Sequence, residues 1–354
     1  MSDEKNDMNT GALCPVPFQE YPEVLLAHGG GGKLSHQLIQ QMFLPVFQNP
    51  LLGELHDGAV FEIGGSRFAF STDSYVIDPI FFPGGDIGEL AVNGTVNDLA
   101  MCGSAPLYIS AAFIIEEGFP MADLSRIVGS MQSAAQKSGV LLVTGDTKVV
   151  DRGKGDKIFI TTSGIGLIGK GIDISPRRAE VGDMIILNGP IAVHGIAIMS
   201  VREGLEFQSQ IRSDTAALNG LVGEVLKFGR DVHVLRDPTR GGLASALNEI
   251  AESSGVGIAI EDDAIPLDEP VQGACEILGL DPLYVANEGK FVAFIAPARA
   301  EEVLGVMKRH PLGARAAVIG SVVAEHPRVV VMRTSIGGHR VVDMISGEQL
   351  PRIC

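Results

Sequence analysis

The 354-residue chain has no tryptophan, four tyrosines and only four cysteines. Cys14, Cys102, Cys275 and Cys354 are too sparse for a disulfide framework, and none belongs to a C-x-x-C pair. Zinc ribbons and dithiol redox proteins are thereby excluded, and a reducing, cytoplasmic setting is expected. Basic residues are also short: 27 Lys and Arg against 43 Asp and Glu give a formal net charge of −16. Such a field argues against nucleic acid or an anionic membrane as the main partner. No uncharged apolar run approaches the ~18 residues of a membrane span. Met1 to Thr10 is polar and acidic, not the basic-then-apolar pattern of a secretory signal. A soluble intracellular protein is expected, and at about 150 residues per domain the length suggests two domains.

What the chain has in excess is glycine, with 44 residues, well above the ~7% of an average sequence. Residues 1–27 show no periodicity, include Cys14-Pro15-Val16-Pro17, and read as an irregular leader. Over 28–172, strand-like runs at 59–63, 67–71, 108–115, 140–144 and 157–168 alternate with helical patterns at 35–47, 87–102 and 121–138, the last stopped by Gly139. That alternation predicts an α/β or α+β domain with helices on one face of a sheet. Ser175-Pro176-Arg177-Arg178 reads as the connector within a second α/β unit, 173–335. Its predicted strands are 184–187, 256–260, 291–296, 316–323 and 329–332, and its predicted helices 191–201, 213–228, 243–253 and 300–310. Residues 336–354 have no periodic face long enough to dock as a helix and are expected to form a flexible tail.

Four successive glycines, Gly29, Gly30, Gly31 and Gly32, followed by Lys33, are kept where φ is unusual or a ligand approaches the backbone; bare amides there suit a phosphate. A flexible connector is the plainer reading. The loop is not a Walker A motif, because Ala27 and Leu34 stand where glycine and a hydroxyl residue belong. Carboxylates recur in short segments with small neighbours: Asp57, Asp73, Asp98 and Asp146. Scattered aspartates converging from strand ends suit a hard cation such as Mg2+. Each alone is better read as a cap or turn residue, except Asp98, which lies within a helical pattern. In Arg236-Asp237-Pro238-Thr239-Arg240-Gly241-Gly242 an Asp, a hydroxyl and two arginines precede a helix N-terminus, an arrangement for anion and metal or for a surface ion pair and a cap. Lys148 would neutralise a transferring phosphoryl group or be an ordinary solvated lysine. His194, near the start of an apolar helix, is a base or a core histidine. Glu288, in Ala286-Asn287-Glu288-Gly289-Lys290, is a turn residue or, if desolvated, a general base. Cys354 is the oddest feature: a thiol on the last residue of a 16-residue arm beyond Gly338, reaching up to ~50 Å. It is no prenylation signal.

Together these segments resemble the HypE family of hydrogenase maturation factors, the carbamoyl dehydratases within the superfamily of aminoimidazole-ribonucleotide synthetase, selenophosphate synthetase and thiamine-monophosphate kinase. The matching stretches are His28-Gly-Gly-Gly-Gly-Lys33, Ser71-Thr-Asp-Ser-Tyr-Val76, Gly94-Thr-Val-Asn-Asp-Leu-Ala100, Thr144-Gly-Asp-Thr-Lys-Val149, Arg236 to Gly242, Ala286 to Lys290 and the ending Pro351-Arg-Ile-Cys354. They span residues 28 to 354. One departure is Ala192-Val193 before His194, where the family pattern has Gly-Asp.

The resemblance implies a two-domain fold of the aminoimidazole-ribonucleotide synthetase type. Residues 28–172 would be the ATP-binding and dimerisation domain, its strands joining those of a second copy in a β-barrel; 173–335 would be the C-terminal α/β domain. ATP and Mg2+ would lie in the cleft between them. Asp57, Asp73, Asp98, Asp146 and Asp237 become the implied metal ligands, and Gly29 to Gly32, Lys33, Asp73, Asn97, Asp146, Thr147 and Arg240 the implied nucleotide contacts. A carbamoyltransferase partner of the HypF type would convert the Cys354 thiol into a thiocarboxamide. The expected reaction is ATP-dependent phosphorylation of the carboxamide oxygen, then proton removal and phosphate loss to a thiocyanate, with Glu288 as proton acceptor and Lys148 and His194 assisting. The cyanide ligand would pass to iron on a HypC–HypD-type scaffold during NiFe-hydrogenase maturation. Two rivals stand beside this expectation. A selenophosphate synthetase-like sibling acting on a small free substrate would carry a reactive cysteine near the glycine loop, and Gly29 to Gly32 contains none. A non-catalytic thiol carrier would have no use for the Asp and Lys set.

Overall fold

A computed structural model describes residues 21–205, 210–347 and 352–354. Cys14, most of the predicted leader, and Pro351 lie outside the described residues. The first sheet is built from β1 (Ala59–Ile63), β2 (Ser66–Tyr75), β5 (Ser104–Glu116), β6 (Leu141–Val150) and β7 (Ile158–Ile168), in the order β1-β2-β7-β5-β6. A two-stranded ribbon of β3 (Phe81–Phe82) and β4 (Gly85–Asp86) precedes the first long helix. Only β5 and β6 run parallel. Helix α4 (Met121–Ser138) crosses between them and stops at Gly139, whose φ of 76° a glycine adopts without strain.

Helix α3 (Ile87–Met101) starts where the Asp86 carboxylate accepts the amides of Gly88 and Glu89 at 2.8 and 3.1 Å. Nearly every residue of α3 is buried, because the first sheet and α4 enclose one side and the second unit the other. The apolar residues of α3 are accordingly not confined to one stripe. Ahead of the sheet, α1 (Lys33–Leu38), a π-helical stretch at Ile39–Phe43 and α2 (Leu44–Phe47) replace the uninterrupted helix expected over 35–47. Gly32, not Ser35, caps it, and the wide turn falls just before Pro45, which has no amide to offer.

The second sheet has seven strands: β8 (Met184–Leu187), β9 (Val232–Arg236), β10 (Gly257–Glu261), β11 (Val292–Ile295), β12 (Ala317–Val323), β13 (Val330–Arg333) and β14 (His339–Val342), ordered β14-β13-β10-β12-β8-β11-β9. Helices α5 (Val193–Arg202), α7 (Gly242–Ser254) and α8 (Glu269–Leu278) bury one face, and α6 (Asn219–Val225) and α9 (Ala300–Arg309) the other. Ile185 and Leu187 therefore point into one core and Ile186 into the other. A strand covered on both sides reads as the continuous apolar run Met184-Ile-Ile-Leu187.

Three expectations change. The helix predicted over 213–228 shrinks to Asn219–Val225 followed by a 3-10 stretch, because 213–218 is irregular chain held against α3 through Asn97. Strand β9 and helix α8 were absent from the sequence reading. The tail is also seated at both described ends: His339–Val342 pairs antiparallel with β13, and Ile353 is 3% exposed. Edge pairing needs a free backbone rather than an apolar period, and one buried isoleucine contributes about 1.5–3 kcal/mol. The first sheet is open, with β1 and β6 as edges, and no closed barrel forms within the described chain. Among the described residues no helix is long and apolar enough to cross a membrane.

Candidate functional site

The two sheets meet along α3, and a cavity between them, about 310 Å3, is lined by carboxylates. Asp57 enters from the turn before β1, Asp98 from the last turn of α3 and Asp237 from the loop after β9. Oxygens of these three lie within 4.8 Å of one another. Arg236 bridges Asp57 Oδ1 (2.7 Å) and Glu249 (2.5 Å), and Ser71 Oγ lies 2.7 Å from Asp98 Oδ2. Burial works against the charge on Arg236, but Asp57 and Glu249 outweigh it and hold the guanidinium charged. Burial first, then Asp237, pushes the Asp98 carboxyl well above the usual range; burial and Asp57 do the same to Asp237.

Asp57 Oδ2 is buried with no hydrogen-bond partner among the described residues. Crowded carboxylates with an orphaned oxygen are poorly stable alone and fit a hard divalent cation, which would satisfy the oxygen and relieve the repulsion. Asp73 borders the same cavity without joining the tight trio.

Glu288 and Cys354 line the cavity too. The Glu288 segment is tied down by Asn287, whose Oδ1 accepts the Ala192 amide (2.7 Å) and whose Nδ2 donates to Pro238 O (2.9 Å). Glu288 is 4% exposed, and burial, then Asp237 and Asp73, push its carboxyl well up. The last three residues lie along the end of β2. Val76 N–H donates to the Cys354 main-chain oxygen (3.0 Å), Asp78 N–H to Arg352 O (3.3 Å), and Arg352 Nε to Val76 O (2.8 Å). Arg202 also donates to Arg352 O, and Arg352 pairs with Asp156. Burial pushes the Cys354 thiol up; Arg240 opposes the shift, while Glu288 and Asp73 add to it. The shift favours the thiol over the nucleophilic thiolate in this position.

The glycine loop packs against the Arg240 turn. Gly31 has φ of 75°, and a Cβ there would meet Arg240 at 2.6 Å; one on Gly32 would meet Ile345 at 2.5 Å. Gly29 and Gly30 line a second pocket of about 170 Å3 with Arg240, Ile353 and Cys354. Lys33 pairs with Asp343 at 2.6 Å.

Several residues singled out in the sequence stand elsewhere. Asp146, Thr147 and Lys148 are exposed on β6, at the far edge of the first sheet, where Lys148 pairs with Asp146 at 2.7 Å. Asn97 is buried and holds the second unit, its Oδ1 accepting Leu218 N–H (2.8 Å) and its Nδ2 donating to Ala216 O (3.0 Å). His194 is buried; its Nδ1 lies 2.8 Å from Ser213 Oγ and its Nε2 2.9 Å from Ile353 O. Nε2–H donating to that carbonyl makes His194 a seat for the tail rather than a base facing the cavity. Burial lowers its basicity, consistent with a neutral ring. Arg202, Asp156 and Ser213 were missed, because their partners lie far away in the chain and no local spacing announces them.

This pairing of an open mixed sheet with a seven-stranded, doubly covered one defines a class. The model of the AIR synthase related protein N-terminal domain matches residues 55–168, and that of its C-terminal domain matches 180–332. The chain belongs to the AIR synthase-related family. Within that family its relatives are HypE proteins. The carbamoyl dehydratase HypE of Azotobacter vinelandii is 54% identical over 331 residues, 94% of this chain and 97% of that protein. The Escherichia coli K12 protein of the same name is 44% identical over 336 residues, 94% and 99% of the two chains. A crystal structure of HypE in complex with ATP superposes with a TM-score of 0.79 at 51% identity, covering 94% of this chain and all of that one. A HypE–HypF complex gives 0.83 at 47% identity, covering 87% and 99%.

Proposed function

We propose that this chain is an ATP-dependent carbamoyl dehydratase acting on its own C-terminal cysteine in hydrogenase maturation. The observation that carries the reading is the position of Cys354, the last residue, inside the cavity lined by Glu288, Arg240 and the aspartates.

Asp57, Asp98 and Asp237 would hold Mg2+, with Asp73 beside them, and the ion would neutralise the nucleotide phosphates. The carboxamide oxygen of carbamoylated Cys354 takes the terminal phosphoryl group, and ADP leaves. Both N–H protons then depart, one to Glu288 and the other to the phosphate as it leaves, and the C–O bond breaks to release phosphate and leave S–C≡N. Phosphorylation turns a poor oxygen leaving group into a good one, so the residues' work is positioning and charge neutralisation. Seating of Ile353 by His194 and of Arg352 by Arg202 fixes the sulfur against Glu288.

Carbamoylation needs the thiol reachable by a HypF-type carbamoyltransferase, so the seated position of residues 352–354 is the dehydration position and loading takes place with these three residues released. The cyanide then passes to iron on a HypC–HypD-type scaffold, and a reducing cytoplasm keeps Cys354 free. Residues 28–172 and 173–335 are the two functional domains. Edge strand β6 exposes Leu141, Leu142, Val143 and Val149. We assign this edge to a homodimer whose joined sheets form the barrel and in which Asp146, Thr147 and Lys148 serve the second copy's nucleotide.

Single-turnover quench with MgATP tests the reading: carbamoylated protein releases one ADP per modified tail, and unmodified protein or Cys354→Ala releases none at that rate. A thiol carrier would release no ADP in either form. A sibling enzyme would hydrolyse ATP only with an added small substrate.

A further inference from the structure

His56 has no part in the chemistry above, yet its side chain is only 4% exposed and lines the acidic cavity beside Asp57. Its Nδ1 accepts the Asp57 amide N–H at 2.9 Å. A neutral imidazole with Nδ1 accepting carries its proton on Nε2, which makes that nitrogen a donor and removes the lone pair a metal would need. Nε2 is nevertheless buried without a hydrogen-bond partner among the described residues. A buried donor left unpaired is destabilising.

The carboxylates around the cavity do not accept this proton. The terminal nitrogens of neighbouring Arg236 are already engaged by Asp57 and Glu249. Side by side, then, stand one orphaned acceptor, Asp57 Oδ2, and one orphaned donor, His56 Nε2–H. Orphans of opposite polarity on adjacent residues match a ligand pair of opposite polarity: a cation on the carboxylate and an anionic oxygen, carried by that cation, on the imidazole.

We propose that His56 Nε2–H donates to a phosphate oxygen of the bound nucleotide and fixes the triphosphate next to the aspartate trio. The assignment rests on the nucleotide-binding reading above and makes His56 a positioning residue rather than an acid or base. A side-chain N–H in that place satisfies it; a ring or a charge as such does not. Glutamine can present its amide N–H near the Nε2 position, whereas leucine and phenylalanine fill the volume without a donor.

The test is calorimetric titration of the full chain with a non-hydrolysable ATP analogue and Mg2+, paired with a Mn2+ titration by electron paramagnetic resonance in the absence of nucleotide. His56→Leu is expected to weaken analogue binding about tenfold, in line with the loss of one hydrogen bond to a charged group. His56→Gln is expected to stay within about threefold of the wild type, and Mn2+ affinity to be unchanged in both. Should leucine fail to fold, His56→Phe takes its place. Unaltered analogue affinity in the apolar variant, or equal loss in His56→Gln, overturns the donor role. Reduced Mn2+ affinity overturns it in favour of direct ligation. Absence of analogue binding to the wild type defeats the nucleotide reading itself, an outcome visible before any variant is made.

Discussion

Glu288→Gln is expected to bind MgATP and accept the carbamoyl group normally and yet to dehydrate the modified tail at least about a hundredfold more slowly, the usual loss when a positioned base is removed. The amide is nearly the same size and sits in the same buried turn, so the defect is chemical rather than architectural. The pH profile adds a sign. Burial, Asp237 and Asp73 hold the Glu288 carboxyl well above its ordinary value. At pH values where a solvated glutamate is fully ionised, much of Glu288 still carries its proton and cannot accept another. Below the shifted pKa the wild-type rate therefore rises with pH, by up to about tenfold per unit. Rapid-quench rates across a pH series check this, and a flat profile would assign the proton elsewhere.

Asp98→Asn should have effects of opposite sign on stability and function. Asp98 stands within 4.8 Å of the oxygens of Asp57 and Asp237, and the repulsion is felt as upward shifts at Asp98 and Asp237. A carboxyl whose folded pKa is raised loses stability as pH climbs from the unfolded value toward the folded one, because the folded state holds the proton longer. Removing the charge relieves that loss, so at neutral pH without divalent ions the variant should melt higher, by ~2 °C or more. The same substitution removes a cation ligand from a buried site. Stabilisation by MgATP, which for a ligand at a hundred times its Kd is about 2.7 kcal/mol, should largely vanish, with single-turnover ADP release falling in step. Differential scanning calorimetry with and without MgATP reads both effects. A lower melting point without metal would mean that the trio is held together by something other than an ion.

The sequence made some of this legible and hid the rest for reasons that follow from distance along the chain. Asp57, Asp98 and Asp237 carried recognisable neighbours, and α3 carried the length and apolarity of a helix enclosed on both sides. Buried strands such as Met184–Leu187 and Val292–Ile295 announced themselves as apolar runs. By contrast, His194 finds its partner at Ile353, 159 residues away, so the sequence showed a histidine on an apolar helix and nothing of the carbonyl it holds. Asn97 adjoins Asp98 in one motif, but successive helical residues point about 100° apart; Asp98 reaches the cavity and Asn97 the loop of the second unit. Asp146 and Lys148 share the set's vocabulary, but their place on an outer strand, away from this chain's own trio, depends on sheet order and is not written in local spacing. The tail read as free because the amides of Val76 and Asp78 that receive it belong to a segment nearly three hundred residues earlier.

The central claim is that Cys354 is at once part of the protein and its substrate, and intact-mass spectrometry tests it most directly. Protein carbamoylated on Cys354 and mixed with MgATP should lose the mass of one water as ADP forms, with the change mapped to the C-terminal peptide, while Cys354→Ala is never modified. Consumption of ATP with the carbamoyl adduct left at its full mass, or dehydration mapped to any other residue, would contradict the account.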